Sequence, residues 1–153
     1  MKSLFFSFAF CLLLITTSAQ KGDNAIGLRA GFGGGITFQH YLSKERGIEA
    51  ILNTYKRGYI ITGLYEIHAD AFDIPGLRWY YGAGAHLGVF SDYWNDKYPN
   101  GFTTVGVDGI LGMEYFINEI PFVISADWKP AINLVGYNSP WIGDGAISVR
   151  YVF

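Results

Sequence analysis

Residues 77–89, LRWYYGAGAHLGV, alternate without a break. Leu77, Trp79, Tyr81, Ala83, Ala85, Leu87 and Val89 fall on one side, and Arg78, Tyr80, Gly82, Gly84, His86 and Gly88 on the other. A period of two sends successive side chains to opposite faces of a strand, whereas a helix needs a period near 3.6. The same period recurs along the chain beyond Gln20. AIGLRAGF sets Ile26, Leu28, Ala30 and Phe32 against Arg29, and after the glycines 33–35, ITFQHYL sets Ile36 and Phe38 against Thr37 and Gln39. GIEAILN opposes Ile48, Ala50 and Leu52 to Glu49 and Asn53. YIITGLYEIHA opposes Tyr59, Ile61, Tyr65 and Ile67 to Thr62, Glu66 and His68. VGVDGILGMEY, FVISADWK and the terminal AISVRYVF repeat the pattern, with Asp108, Glu114, Asp127, Lys129 and Arg150 on the polar side. Eight strands are predicted, and no amphipathic helix competes with them.

The chain begins with basic Lys2, an apolar run from Leu4 to Ile15 and small residues before Gln20. That run is too short for a membrane helix and matches a secretory signal, so residues 1–19 are expected to be a leader cleaved after Ala19, with 20–153 as one domain. Cys11, the one cysteine, lies inside the leader. A mature chain from residue 20 therefore has no disulfide. The 11 Lys and Arg are scattered, which excludes a nucleic-acid footprint. Half of the residues are hydrophobic, yet no uncharged run past the leader reaches the ~18 residues of a membrane helix.

Several predicted strands reach ten residues or more, about what a tilted strand needs to cross a bilayer. With both termini on one side, that side has the short connections SKERG, DAFDIPG and NEI. The other side has the two longest, SDYWNDKYPNG and INLVGYNSPWIGD. Membrane barrels show such an asymmetry. The polar face is unlike a solvated one: arginines and carboxylates occur in near balance among glycines, with Lys129 as its lysine. Arg29, Glu49, Glu66, His68, Arg78, His86, Asp108, Glu114, Asp127, Lys129 and Arg150 are expected to form an interior polar network, since buried charges must be paired. On the apolar face, Trp79, Tyr81, Tyr115, Phe122, Tyr151 and Phe153 lie toward the terminus-bearing side. Phe32, Tyr59 and Trp128 lie toward the other, as two aromatic girdles would.

The alternate residues Ile147, Val149, Tyr151 and final Phe153 resemble the C-terminal insertion signal of Gram-negative outer-membrane proteins. The mature chain as a whole resembles small eight-stranded barrels of the OmpX and OmpA-transmembrane-domain type. That resemblance implies an all-β, eight-stranded antiparallel up-and-down transmembrane β-barrel in the outer membrane. It also implies insertion by the barrel-assembly machinery and contact with outer-membrane lipid and lipopolysaccharide.

The glycine-rich GFGGG and GAGAHLG lack a following helix or a P-loop lysine, so they read as strand and turn glycines. Inward His68 and His86 read as hydrogen-bonded imidazoles better than as metal ligands. Outward His40 has no serine partner for acyl chemistry. Tyr93, Trp94, Tyr98, Tyr137 and Trp141 are candidate outer-loop contacts, as are Lys56 and Arg57, which suit lipopolysaccharide phosphates. Eight strands leave an interior just wide enough for side chains, so a plugged polar core is expected, with no cofactor and no metal. The leading function is non-catalytic: a structural or interaction protein meeting lipid, lipopolysaccharide or a larger membrane complex. A lipid-modifying barrel enzyme, a narrow solute channel and a soluble periplasmic barrel are the rivals.

Overall fold

The computed structural model describes residues 22–55, 58–91, 102–136 and 140–153. They form eight strands: β1 (Asn24–Ala30), β2 (Gly34–Ser43), β3 (Arg46–Tyr55), β4 (Gly58–Asp70), β5 (Leu77–Phe90), β6 (Phe102–Ile117), β7 (Phe122–Val135) and β8 (Pro140–Val152). Each strand pairs antiparallel with the next, and β1 pairs with β8, so the sheet closes into a barrel. Closure sets Ile26 opposite Tyr151 and Leu28 opposite Val149, which leaves no sheet edge unpaired. The first and last described segments are also tied, Phe153 N donating to Asn24 O at 2.8 Å.

The alternation becomes an inside and an outside. Outward residues are apolar and exposed, among them Leu28 at 72%, Ile147 at 60%, Ile61, Leu87, Val107 and Leu111. Inward positions hold Arg29, Glu49, Glu66, His68, His86, Asp108, Glu114, Asp127, Lys129 and Arg150, all buried. The polarity is the reverse of a protein folded around an apolar core in water. No helix among the described residues is long and apolar enough to cross a membrane, which says nothing of strands.

The structure corrects the strand limits in three places. The β1–β2 turn falls at 31–33, so Phe32 belongs to the turn, where its N–H donates to Asp144 Oδ1 at 3.0 Å. The second correction concerns 132–144, expected to be a long outer connection. Instead β7 runs on to Val135 and β8 starts at Pro140, with Ala131 opposite Trp141 and Ile132 opposite Pro140. Proline and glycine made this stretch look like a loop. Proline is tolerated as the first residue of a strand, however, and a register shift between Lys129 and Ala131 takes up the irregularity. Gly143 lies in that shift with φ at 117°, open to glycine and strained for other residues. Trp141 therefore has its backbone within β8 rather than in a loop. The third correction follows from the second: Trp128 sits midway along β7 with Ile132 and Leu134 beyond it, so it is not at the far rim.

Candidate functional site

The candidate site is the barrel interior, where the strands bring together charges far apart in sequence. Arg150 on β8 is completely buried. Its Nη2 donates to Glu49 of β3, its Nη1 to Ser125 Oγ at 3.1 Å and its Nε to Thr37 Oγ1 at 3.3 Å. The Thr37 hydroxyl in turn donates to Glu49, so one carboxylate collects two donors. Arg29 on β1 forms a two-pronged pair with Asp127 on β7, at 2.7 Å from Nη1 and 2.5 Å from Nη2. The Tyr80 hydroxyl adds a third bond to Asp127, at 2.9 Å. Charge-assisted forks of this kind fix geometry as well as energy.

A second set lies toward the terminus-bearing end around His68. Its Nδ1 is 2.8 Å from Glu114 Oε1, and its ring stacks on Tyr80 at 5.5 Å with Tyr41 edge-on at 5.6 Å. Since a carboxylate only accepts, Nδ1 carries the proton of that bond. Glu114 also receives the Tyr41 hydroxyl at 3.0 Å and lies 3.5 Å from Arg78 Nη1. Gln39 Nε2 donates to Glu66 at 2.6 Å. Arg78 is the least enclosed of these groups. It sits at the rim, lying over Phe116 and 3.9 Å from Asp70.

A third set lies toward the opposite end. His86 Nδ1 is 2.7 Å from Asp108, Lys129 Nζ donates to Asp108 at 2.9 Å, and Asn133 meets His86 Nε2 at 2.9 Å. Asp144 is buried opposite Lys129 in the β7–β8 register. Between this set and the one around His68 comes an apolar cluster of Ile51, Leu64, Tyr80 and Ile110. Each of three strands repeats the order: Glu49, Ile51, Asn53 on β3; Glu66, Leu64, Thr62 on β4; Glu114, Ile110, Asp108 on β6. The expected polar core is thus interrupted by an apolar layer on the β3–β6 side, while Arg29 and Asp127 fill the facing side.

All eleven polar residues singled out in the sequence lie on inward positions, but their pairings could not be read there. Thr37, Gln39, Tyr41, Tyr80 and Ser125 complete the network, and their only signal was sharing the parity of the charged residues. Among the described residues, no group of three or more His, Cys, Asp or Glu is placed to hold a metal ion. His40 faces outward with Nδ1 2.8 Å from Asn24 Oδ1. The alternate residues Ile147, Val149 and Phe153 are exposed, and half-buried Tyr151 packs edge-on to Phe122 at 5.5 Å. Lys56, Arg57, Tyr93, Trp94, Tyr98 and Tyr137 lie outside the described residues. A comparison with protein-family models finds no match, and neither does one with curated protein sequences.

Proposed function

We propose that this chain is an integral β-barrel of a Gram-negative outer membrane, with lipid around it and a plugged interior. Its role in that reading is structural or interactive rather than catalytic. The observation that carries the reading is the inverted polarity: a continuous apolar exterior around buried Arg29, Arg150, Glu49, Glu66 and Glu114. A soluble barrel of this size faces its apolar residues inward. Exposed apolar surface on every strand has a large free-energy cost in water and none in lipid. In this reading outer-membrane lipid and lipopolysaccharide contact the outside, and the barrel-assembly machinery recognises the strand ending at Phe153.

The plug supports a non-conducting role. A solute would have to part the Arg29–Asp127 and Arg150–Glu49 pairs and pass the Ile51–Leu64–Ile110 layer, and an unpaired charge is costly to hold in an interior. Support for a non-catalytic role comes from the histidines. His68 and His86 are buried inside the barrel, walled off from lipid in this reading, and outward His40 has an asparagine rather than a carboxylate as its side-chain partner.

Fractionation combined with a heat-shift gel tests the membrane assignment. The protein is expected in the outer-membrane fraction, changing its mobility in SDS only after boiling. A soluble periplasmic protein that never shifts would overturn it. Planar-bilayer recordings are expected to show no steps above background, and steady conductance from a pure preparation defeats the plug. Acyl release from lipopolysaccharide that disappears on changing His40 or Glu66 would replace the interaction role with an enzymatic one.

A further inference from the structure

The terminus-bearing rim carries an apolar display that the barrel does not cover. Phe72, in the β4–β5 turn, is 79% exposed, more than any other large hydrophobic among the described residues. Ile74 in the same turn and Ile120 in the β6–β7 turn are each about half exposed. The β4–β5 turn is tied to the end of β6, where Phe116 N donates to Gly76 O at 2.8 Å. Phe72 follows β4 in the chain, past Ala69, the cross-strand neighbour of Trp79.

The display is built rather than frayed. Ala71 N donates to Leu77 O at 3.0 Å, Ile74 N to Ala71 O at 3.1 Å and Leu77 N to Ile74 O at 3.1 Å. Phe72 and Asp73 both have φ at 55°, the left-handed region that a bulky side chain rarely adopts. A turn that holds a largely exposed phenylalanine in a disfavoured conformation points to a function for that residue. The charge around it indicates which. Exposed Asp73 lies in the same turn and exposed Glu119 in the β6–β7 turn, while Asp70 at the end of β4 is 3.9 Å from Arg78. Neither turn, 71–76 or 118–121, contains a lysine or arginine. Arg78 lies between Glu114 and Asp70, Lys44 belongs to the β2–β3 turn, and exposed Arg46 begins β3 opposite Ile67.

We infer that the β4–β5 and β6–β7 turns form a docking surface for a protein segment presenting apolar side chains flanked by lysine or arginine. Phe72 is the anchor, with Ile74 of the same turn and Ile120 of the β6–β7 turn, and Asp73 and Glu119 select the charge. An exposed aromatic on a rigid turn loses little freedom on binding and suits that part. The same two carboxylates repel anionic headgroups, which argues for a protein rather than a lipid surface. The compartment this rim faces, the periplasm, rests on the outer-membrane reading, but the recognition chemistry does not.

The test uses the full chain purified from membranes into neutral detergent and two fluorescent peptides with the same leucine and phenylalanine spacing. One peptide carries lysines and the other glutamates at the intervening positions. The lysine peptide is expected to bind at least tenfold tighter than the glutamate one and to weaken as salt is raised. Its binding should be lost in the F72S/I74S variant and fall several-fold in D73N/E119Q, with heat-shift gels confirming that both variants fold. Equal binding of the two peptides, binding of neither, or unchanged binding to F72S/I74S overturns the inference. In a second arm, a spin label on Phe72→Cys, placed in lipid nanodiscs, is expected to be relaxed by a water-soluble nickel complex. Protection from nickel together with relaxation by oxygen would make Phe72 a lipid anchor and overturn the inference. A failure of the membrane assignment would show instead in the fractionation experiment.

Discussion

Arg150 alternates with Val149 and Tyr151 and would be an intruder in any apolar strand; inside the barrel it has a carboxylate and two hydroxyls as partners. Changing Arg150→Met leaves Glu49 buried without its arginine, and should destabilise the refolded barrel by about 3–5 kcal/mol in urea titrations. The double variant R150M/E49Q should lose clearly less than the single one, because no uncompensated charge remains. Glycines give a second residue-level contrast. A Cβ on inward Gly112 would lie 2.6 Å from the Asp127 Cβ and 2.7 Å from the Tyr80 ring, whereas outward Gly63 has nothing within 4 Å. Gly112→Ala should therefore cost about 1–3 kcal/mol by overpacking. Gly63→Ala should change stability by less than about 0.5 kcal/mol, measured the same way. Nothing in the sequence distinguishes these glycines beyond their parity, since the neighbours that crowd Gly112 come from β5 and β7.

At the level of the strand, alternation was legible almost everywhere, because the period of two is a local property. From β3 to β6 the expected segments lie wholly inside observed strands, which extend them at one or both ends. The stretch 140–144 was not legible as strand. Its Pro140, Gly143 and Gly145 oppose strand formation locally, and only the facing backbone of β7 holds it extended. If the outward faces of these strands meet lipid, the cost of a charge there must depend on depth. Ala83→Arg, near the middle of β5, should destabilise the barrel in lipid vesicles by about 2–4 kcal/mol, and Val89→Arg, near its outer end, by about 0–1 kcal/mol. Equal costs at both positions would contradict a bilayer around the barrel.

At the level of the whole molecule, closure of β1 on β8 gives the terminal strand two duties that one variant can separate. Phe153 joins the closure through its backbone bonds with Asn24, while its ring is exposed outside. Its ring also stacks on Tyr151 at 6.4 Å, so Phe153→Ser should cost the refolded barrel no more than about 0.5–1.5 kcal/mol. The amount of heat-modifiable protein in the outer membrane of cells should nonetheless fall several-fold, if the ring is read during assembly. An equal loss in both measurements would make Phe153 a packing residue only. The sequence by itself determined that there are strands, how many, and which residues share a face, because side-chain direction along a strand depends only on counting by two. The tertiary structure decided everything that depends on which strand lies across the barrel. It joined Arg29 to Asp127 and Arg150 to Glu49, pairs separated by 98 and 101 residues. It also gathered Ile51, Leu64, Tyr80 and Ile110 from four strands into an apolar layer inside a polar lining. No local signal marks those meetings, since they are fixed by register and closure, which every strand sets jointly.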